Sequence, residues 1–226
     1  LILRYFQRNL LPSLIILFLA NLLPIYGVIF LGWNAFLIIF LFWFENLTIG
    51  FYNILRMLFS EPGDIIKWPV KLFMIPFFTF HYGMFTFGHG IFVVGFFGKM
   101  INLGTGTPNL ELIINIIARF NLGYAVLAVF FSHGFSLIYN YIIRKEYRYS
   151  SLKTLMLKPY SRIVIMHLVI IIGGFLVFLL KLDIAGLLLL IALKIIFDLR
   201  AHLRDHRLSK SKNPNPVLDR VSEKPS

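Results

Sequence analysis

Long apolar blocks, each close to the roughly 20 residues a helix needs to cross about 30 Å of hydrocarbon, run through most of this 226-residue chain. A soluble domain of this size covers its surface with charge. Here only 14% of residues are charged against 58% hydrophobic, and there are 25 Phe. That balance lies outside the soluble globular range. The reading is an all-α fold, a polytopic transmembrane helical bundle.

Spans are expected at about 10–32, 34–58, 71–98, 122–143, 161–181 and 183–203, which makes six with both termini inside. Arg4 and Arg8 precede the first block, but its length, its Pro12 and Pro24, and the lack of a small-x-small site favour a retained span over a cleaved signal. Gly32-Trp33-Asn34 leaves room for only a tight hairpin between spans one and two. Glu61, Pro62, Gly63 and Asp64 mark the next turn. Residues 1–206 read as one transmembrane domain. Residues 207–226, rich in Ser, Pro and Lys, read as a disordered basic cytoplasmic tail.

The formal net charge of +12 raises nucleic-acid binding as a function, so the placement of the 22 Lys and Arg decides its meaning. In the six-span scheme the external segments hold only Lys99, Arg119 and Lys181, and Lys194 falls within the last span. The rest, including Arg56, Lys67, Lys71, Arg144, Lys158 and Arg162, fall on the inner side. This is a positive-inside pattern, so the basicity encodes orientation and no nucleic-acid partner is expected. The expected location is a prokaryotic cytoplasmic membrane. Arg144–Tyr160 interleaves Lys, Arg and Tyr, and with the tail it is expected to lie on anionic lipid headgroups. Leu110–Phe120 spaces Glu111, Asn115 and Arg119 four apart among Ile and Leu, which suits a short helix in the outer interface. The chain has no cysteine, which removes disulfides, thiolate metal sites and iron–sulfur clusters.

Ionisable groups deep in a bilayer are costly, so they usually face the bundle interior and often mark a site. Glu45, His81, His133 and Lys194 come from four different spans and reach one level near the midplane, each roughly 15 Å from a helix end at 1.5 Å per residue. Asn46 adjoins Glu45. Asn53, Asn140 and His167 form a second layer towards the cytoplasm, and Lys194, Asp198 and His202 repeat every four residues as one polar stripe. His89 points into the outer half, beside Gly83, Gly88 and Gly90, which allow close helix approach. Depth predicts that Glu45, His81 and His133 share an interior cavity open to the cytoplasm, with Asn53, Asn140, Asp198 and His202 at its mouth. The plainer alternatives are a packing ion pair between Glu45 and Lys194, a pair between Lys194 and Asp198 within span six, and isolated interhelical hydrogen bonds for single histidines.

Several strings, taken together, resemble a prokaryotic polytopic membrane family, domain of unknown function 6498. They are Phe44-Glu45-Asn46 with Gly50 and Asn53, His81-Tyr82-Gly83 through His89-Gly90, and Ser132-His133-Gly134. Met166-His167 with Gly173-Gly174, and Lys194 with Asp198, Leu199 and His202, complete the set. The resemblance covers nearly the whole chain. It implies a multi-span membrane protein and carries no activity, substrate or cofactor.

Three functions remain open. In the first, the polar cluster specifies helix packing in a structural or accessory membrane subunit. In the second, Glu45, His81, His133, Asp198 and His202 supply ligands for a transition metal or haem, in a hydrolase or oxidoreductase. In the third, Glu45, the histidines and Lys194 titrate in turn in a proton-coupled transporter.

Overall fold

The computed structural model describes residues 22–61, 68–101, 107–148, 150–179, 191, 192 and 194–196, and everything regular within them is helical. The first and sixth expected spans lie largely outside these residues, as do Asp198, His202 and the tail. A first helix (α1, residues 22–30) reaches a tight reversal in which Trp33 N–H donates to the Gly27 carbonyl at 3.0 Å. Gly32 takes a φ of +64°, a left-handed conformation that suits glycine. Asn34 then caps α2 (Ala35–Phe59) by accepting from Leu37 N–H at 3.1 Å. The two-span hairpin expected at Gly32-Trp33-Asn34 is therefore a capped turn.

After α3 (Trp68–Phe92) the chain widens into a π-helical turn, Val93–Phe97, and closes with a 3-10 turn. The short α4 (Leu110–Arg119) starts on the Asn109 side chain. It carries Glu111 in its first turn and Arg119 in its last, each sign placed to oppose the helix dipole. Its Ile116 is buried, so α4 packs down onto the bundle. The fifth helix, α5 (Gly123–Ser136), continues as a π-helical stretch, Leu137–Ile143. Last come the short α6 (Leu152–Leu157) and α7 (Tyr160–Leu179), separated at Pro159. Proline has no N–H to continue α6, and its carbonyl receives the Arg162 N–H that opens α7 at 3.0 Å.

Among the described residues, four stretches are long and apolar enough to cross a membrane: Ala35–Phe59, Trp68–Phe97, Gly123–Ile143 and Leu152–Ile172. Their outward faces carry large apolar side chains such as Leu72, Phe73 and Phe80, each at least 70% exposed. An aqueous surface would not tolerate such a belt, and lipid does. The centre is α2, which packs against α3, α5, α6 and α7. Its N-terminal half, Ala35 to Trp43, is buried with Val93, Phe97, Leu122 and Val169. Its C-terminal half, from Tyr52 to Met57, belongs to a second core with Phe78, Tyr82, Tyr141, Leu152 and Leu155. Between the two apolar layers lies the stretch of α2 that carries Glu45 and Asn46.

Among the described residues, Gly50, Gly90 and Gly134 set how closely neighbouring helices approach. A Cβ on Gly90 would lie 2.6 Å from the Trp43 ring, and one on Gly50 would lie 2.6 Å from the Tyr82 ring. A Cβ on Gly134 would lie 2.7 Å from the Tyr52 hydroxyl. Gly83 and Gly88, expected to serve the same purpose, have nothing within 4 Å of a built Cβ. They lie on the open side of α3.

Candidate functional site

Glu45 is the hub of the polar layer. Its Oε2 meets Lys194 Nζ at 2.8 Å, and its Oε1 lies 3.5 Å from Arg162 Nη1 and 3.6 Å from His133 Nε2. The carboxylate thus draws α5, α7 and the helical residues around Lys194 onto α2. Glu45 and Lys194 are both largely buried, and the Lys194 ammonium also sits 4.9 Å from the centre of the Phe42 ring. His133 lies over Tyr52, with ring centres 6.5 Å apart and planes 26° apart.

His81 goes elsewhere. Its Nδ1 is 2.7 Å from the Tyr160 hydroxyl, and its ring stacks on Phe77 and meets Phe85 edge-on. The ligand set expected from depth, Glu45, His81 and His133, is therefore not assembled. Among the described residues, no group of three or more His, Asp or Glu is placed to hold a metal ion. Depth along a helix sets height but leaves the direction round the axis open, and His81 points towards α7. The two further candidate ligands, Asp198 and His202, lie outside the described residues.

The other two described histidines, His89 and His167, pair with each other. His89 Nε2 is 3.1 Å from His167 Nδ1 on the bundle's outward face, although depth had assigned them to opposite halves. The sequence separation of 78 matches the 79 between His81 and Tyr160. So α3 and α7 run parallel and in register, and α7 begins level with the middle of α3.

That register changes the reading of the inner side. Asn53 is buried and donates to the Leu155 carbonyl of α6 at 3.0 Å, so α6 covers the place where an open mouth was expected. Asn140 donates to Ser136 Oγ at 3.4 Å, and Arg56 donates to the same oxygen at 3.2 Å. Asn46 donates to the Phe42 carbonyl at 2.9 Å and is itself spanned by Tyr82, whose hydroxyl donates to the Asn46 carbonyl at 3.0 Å.

Two residues that matter here were counted in the sequence only as inner-side charges. Arg162 reaches into the bundle to Glu45. Lys71, 2% exposed, donates to the Leu58 carbonyl at 3.3 Å and to the Ser60 carbonyl, where the last turn of α2 leaves oxygens without helical partners. The signal for Arg162 was Pro159. Proline fits the start of a helix, so the chain is already in the bundle at Arg162.

Helices of spanning length, a lipid-compatible exterior and a buried charge cluster define a helical bundle of the membrane-spanning class. The chain belongs to DUF6498, a family of unknown function, whose family model matches residues 4–215. No curated protein and no solved structure matches it.

Proposed function

We propose that this protein is a structural or accessory membrane subunit in which the Glu45 cluster specifies how the helices pack. One observation carries the reading: a single carboxylate engages side chains from three other helical segments. The adjoining cavity, about 20 Å³, has room for about one water molecule. A buried ion cluster of this kind is attested best as a device of specificity, fixing register where apolar packing alone would permit slippage. The Lys and Arg distribution orients the bundle in a cytoplasmic membrane with its basic segments inside.

The test is a mutant cycle on the detergent-purified protein. Glu45→Gln should lower the midpoint of thermal unfolding, and adding Lys194→Met should restore part of the loss, because the second change removes a buried cation that has lost its 2.8 Å contact with the carboxylate. Additive losses would count against the packing role. The competing reading is proton-coupled transport, which draws on the approach of His133 to Glu45. In liposomes holding a pH-sensitive dye, the packing reading expects no proton flux above protein-free vesicles. Flux that disappears in Glu45→Gln would replace it with transport.

We also propose that anionic lipid is the partner of the segment that includes α6. Leu152 and Leu155 are buried while Lys145, Arg148, Lys153 and Lys158 are exposed, which suits headgroup contact beside an anchored helix. Thermal unfolding in nanodiscs should occur at a higher temperature in phosphatidylglycerol than in phosphatidylcholine. Replacing the four cations with Gln should abolish the difference, and a difference that survives the replacement would assign the effect elsewhere.

A further inference from the structure

We propose that the notch between α2, α7 and Lys194 binds a single water molecule that hydrates Glu45 in the middle of the bundle. The notch is lined by Glu45, Asn46, Arg162 and Lys194, with Phe42 and Met166 among its apolar walls. Its volume of about 20 Å³ exceeds the roughly 10–15 Å³ that one water requires.

The chemistry of the lining chooses the occupant. Asn46 is 8% exposed, and its Nδ2 donates to the Phe42 carbonyl. That bond fixes the amide orientation, because the reversed amide would set two oxygens against each other. Asn46 Oδ1 is then a fully buried acceptor with no hydrogen-bond partner among the described residues. Buried acceptors are rarely left so, since the loss of hydration costs about 1–3 kcal/mol.

Glu45 supplies a second, independent sign. Its Oε2 makes a contact of ordinary length with Lys194, while both partners of Oε1 stand at 3.5 and 3.6 Å. Charge-assisted bonds are usually about 2.7–2.9 Å long, and longer polar contacts are the ones water bridges.

Charge excludes the other small occupants. An anion would face the Glu45 carboxylate and the Asn46 oxygen, and a metal cation would face an ammonium and a guanidinium. Only a neutral molecule that both donates and accepts satisfies all four groups. Water does so by donating to Asn46 Oδ1 and to the carboxylate and accepting from the neighbouring cations. The site stands apart from the packing role proposed above, since a packing cluster and a transporting one would hold this water equally well.

The experiment is water-edited solid-state NMR on the full-length protein, labelled at Asn and Glu, in lipid bilayers. Magnetisation from water should reach the Asn46 side chain and the Glu45 carboxyl more slowly than it reaches exposed loop residues. In Asn46→Leu the transfer to Glu45 should be lost. If that variant does not fold, the wild-type transfer decides the matter alone. No transfer at either residue would overturn the proposal. Transfer as fast as in the exposed loops would also overturn it, because it would indicate an open water-filled channel in place of one held molecule.

Discussion

Glu45→Gln should be the most damaging single substitution among the polar residues of the bundle, with Lys194→Met and Arg162→Met each costing less. The reason is the asymmetry of a hub. When Glu45 loses its charge, Lys194 and Arg162 both lose the carboxylate they face, and His133 loses its acidic neighbour. Breaking a buried charge cluster by removing the partner its cations share costs about 3–5 kcal/mol. Removing Lys194 or Arg162 leaves Glu45 with the other cation and with His133, so each loss should resemble that of one hydrogen bond to a charged group, about 1.5–3 kcal/mol. Denaturant titration of the purified variants in one detergent gives the ranking. Equal losses in all three would mean that Glu45 is no hub and that the contacts act separately.

The second large effect belongs to a residue without a side chain. Gly90→Ala should destabilise the protein by about 1–3 kcal/mol, the usual range for overpacking a tight contact, while Gly83→Ala and Gly88→Ala should be neutral or stabilising. At Gly90 the new methyl would stand 2.6 Å from Trp43. That ring has little freedom to retreat, because it is 2% exposed and its Nε1 donates to the Thr86 carbonyl at 2.7 Å. At Gly83 and Gly88 the methyl meets nothing within 4 Å, so what remains is the helix preference for Ala over Gly, up to about 1 kcal/mol. Thermal unfolding midpoints of the three variants test the ordering. A loss at Gly83 or Gly88 as large as at Gly90 would require a different packing of α2 on α3.

The parts of this architecture that could be read from sequence are those that hydropathy and turn chemistry control. The stretches Ala35–Phe59, Trp68–Phe97 and Gly123–Ile143 fall close to the expected second, third and fourth spans because each is an apolar block bounded by turn residues. The cap at Asn34 and the helix after Asn109 follow from the same local rules. The site is legible in part. Counting residues along a span gives the height of a side chain, but each residue turns about 100° round the helix axis. A small error in packing direction therefore sends His81 to Tyr160 instead of to Glu45. Arg162 was hidden for a different reason. Charge counting assigns a cation at the end of an apolar block to the inner side, and it has no means of recognising one in the first turn of α7 that turns inward to a carboxylate. Lys71 was hidden because its role is defined by carbonyls of the preceding helix, which no side-chain pattern reveals.

The junction at Pro159 has one more consequence. What hydropathy sees as a single crossing from Leu152 to Ile172 is assembled from two pieces, and the upper piece stands on the lower. The height at which α7 begins is therefore tied to a foothold of Leu152, Leu155 and the Asn53 bond, alongside the buried contacts of Ile163, Met166 and Val169 on α7 itself. A slip of one helical turn there, about 5.4 Å, would lift Arg162 off Glu45, Tyr160 off His81 and His167 off His89 together. Three contacts spread along the height of the bundle are thus calibrated by a six-residue helix near its base.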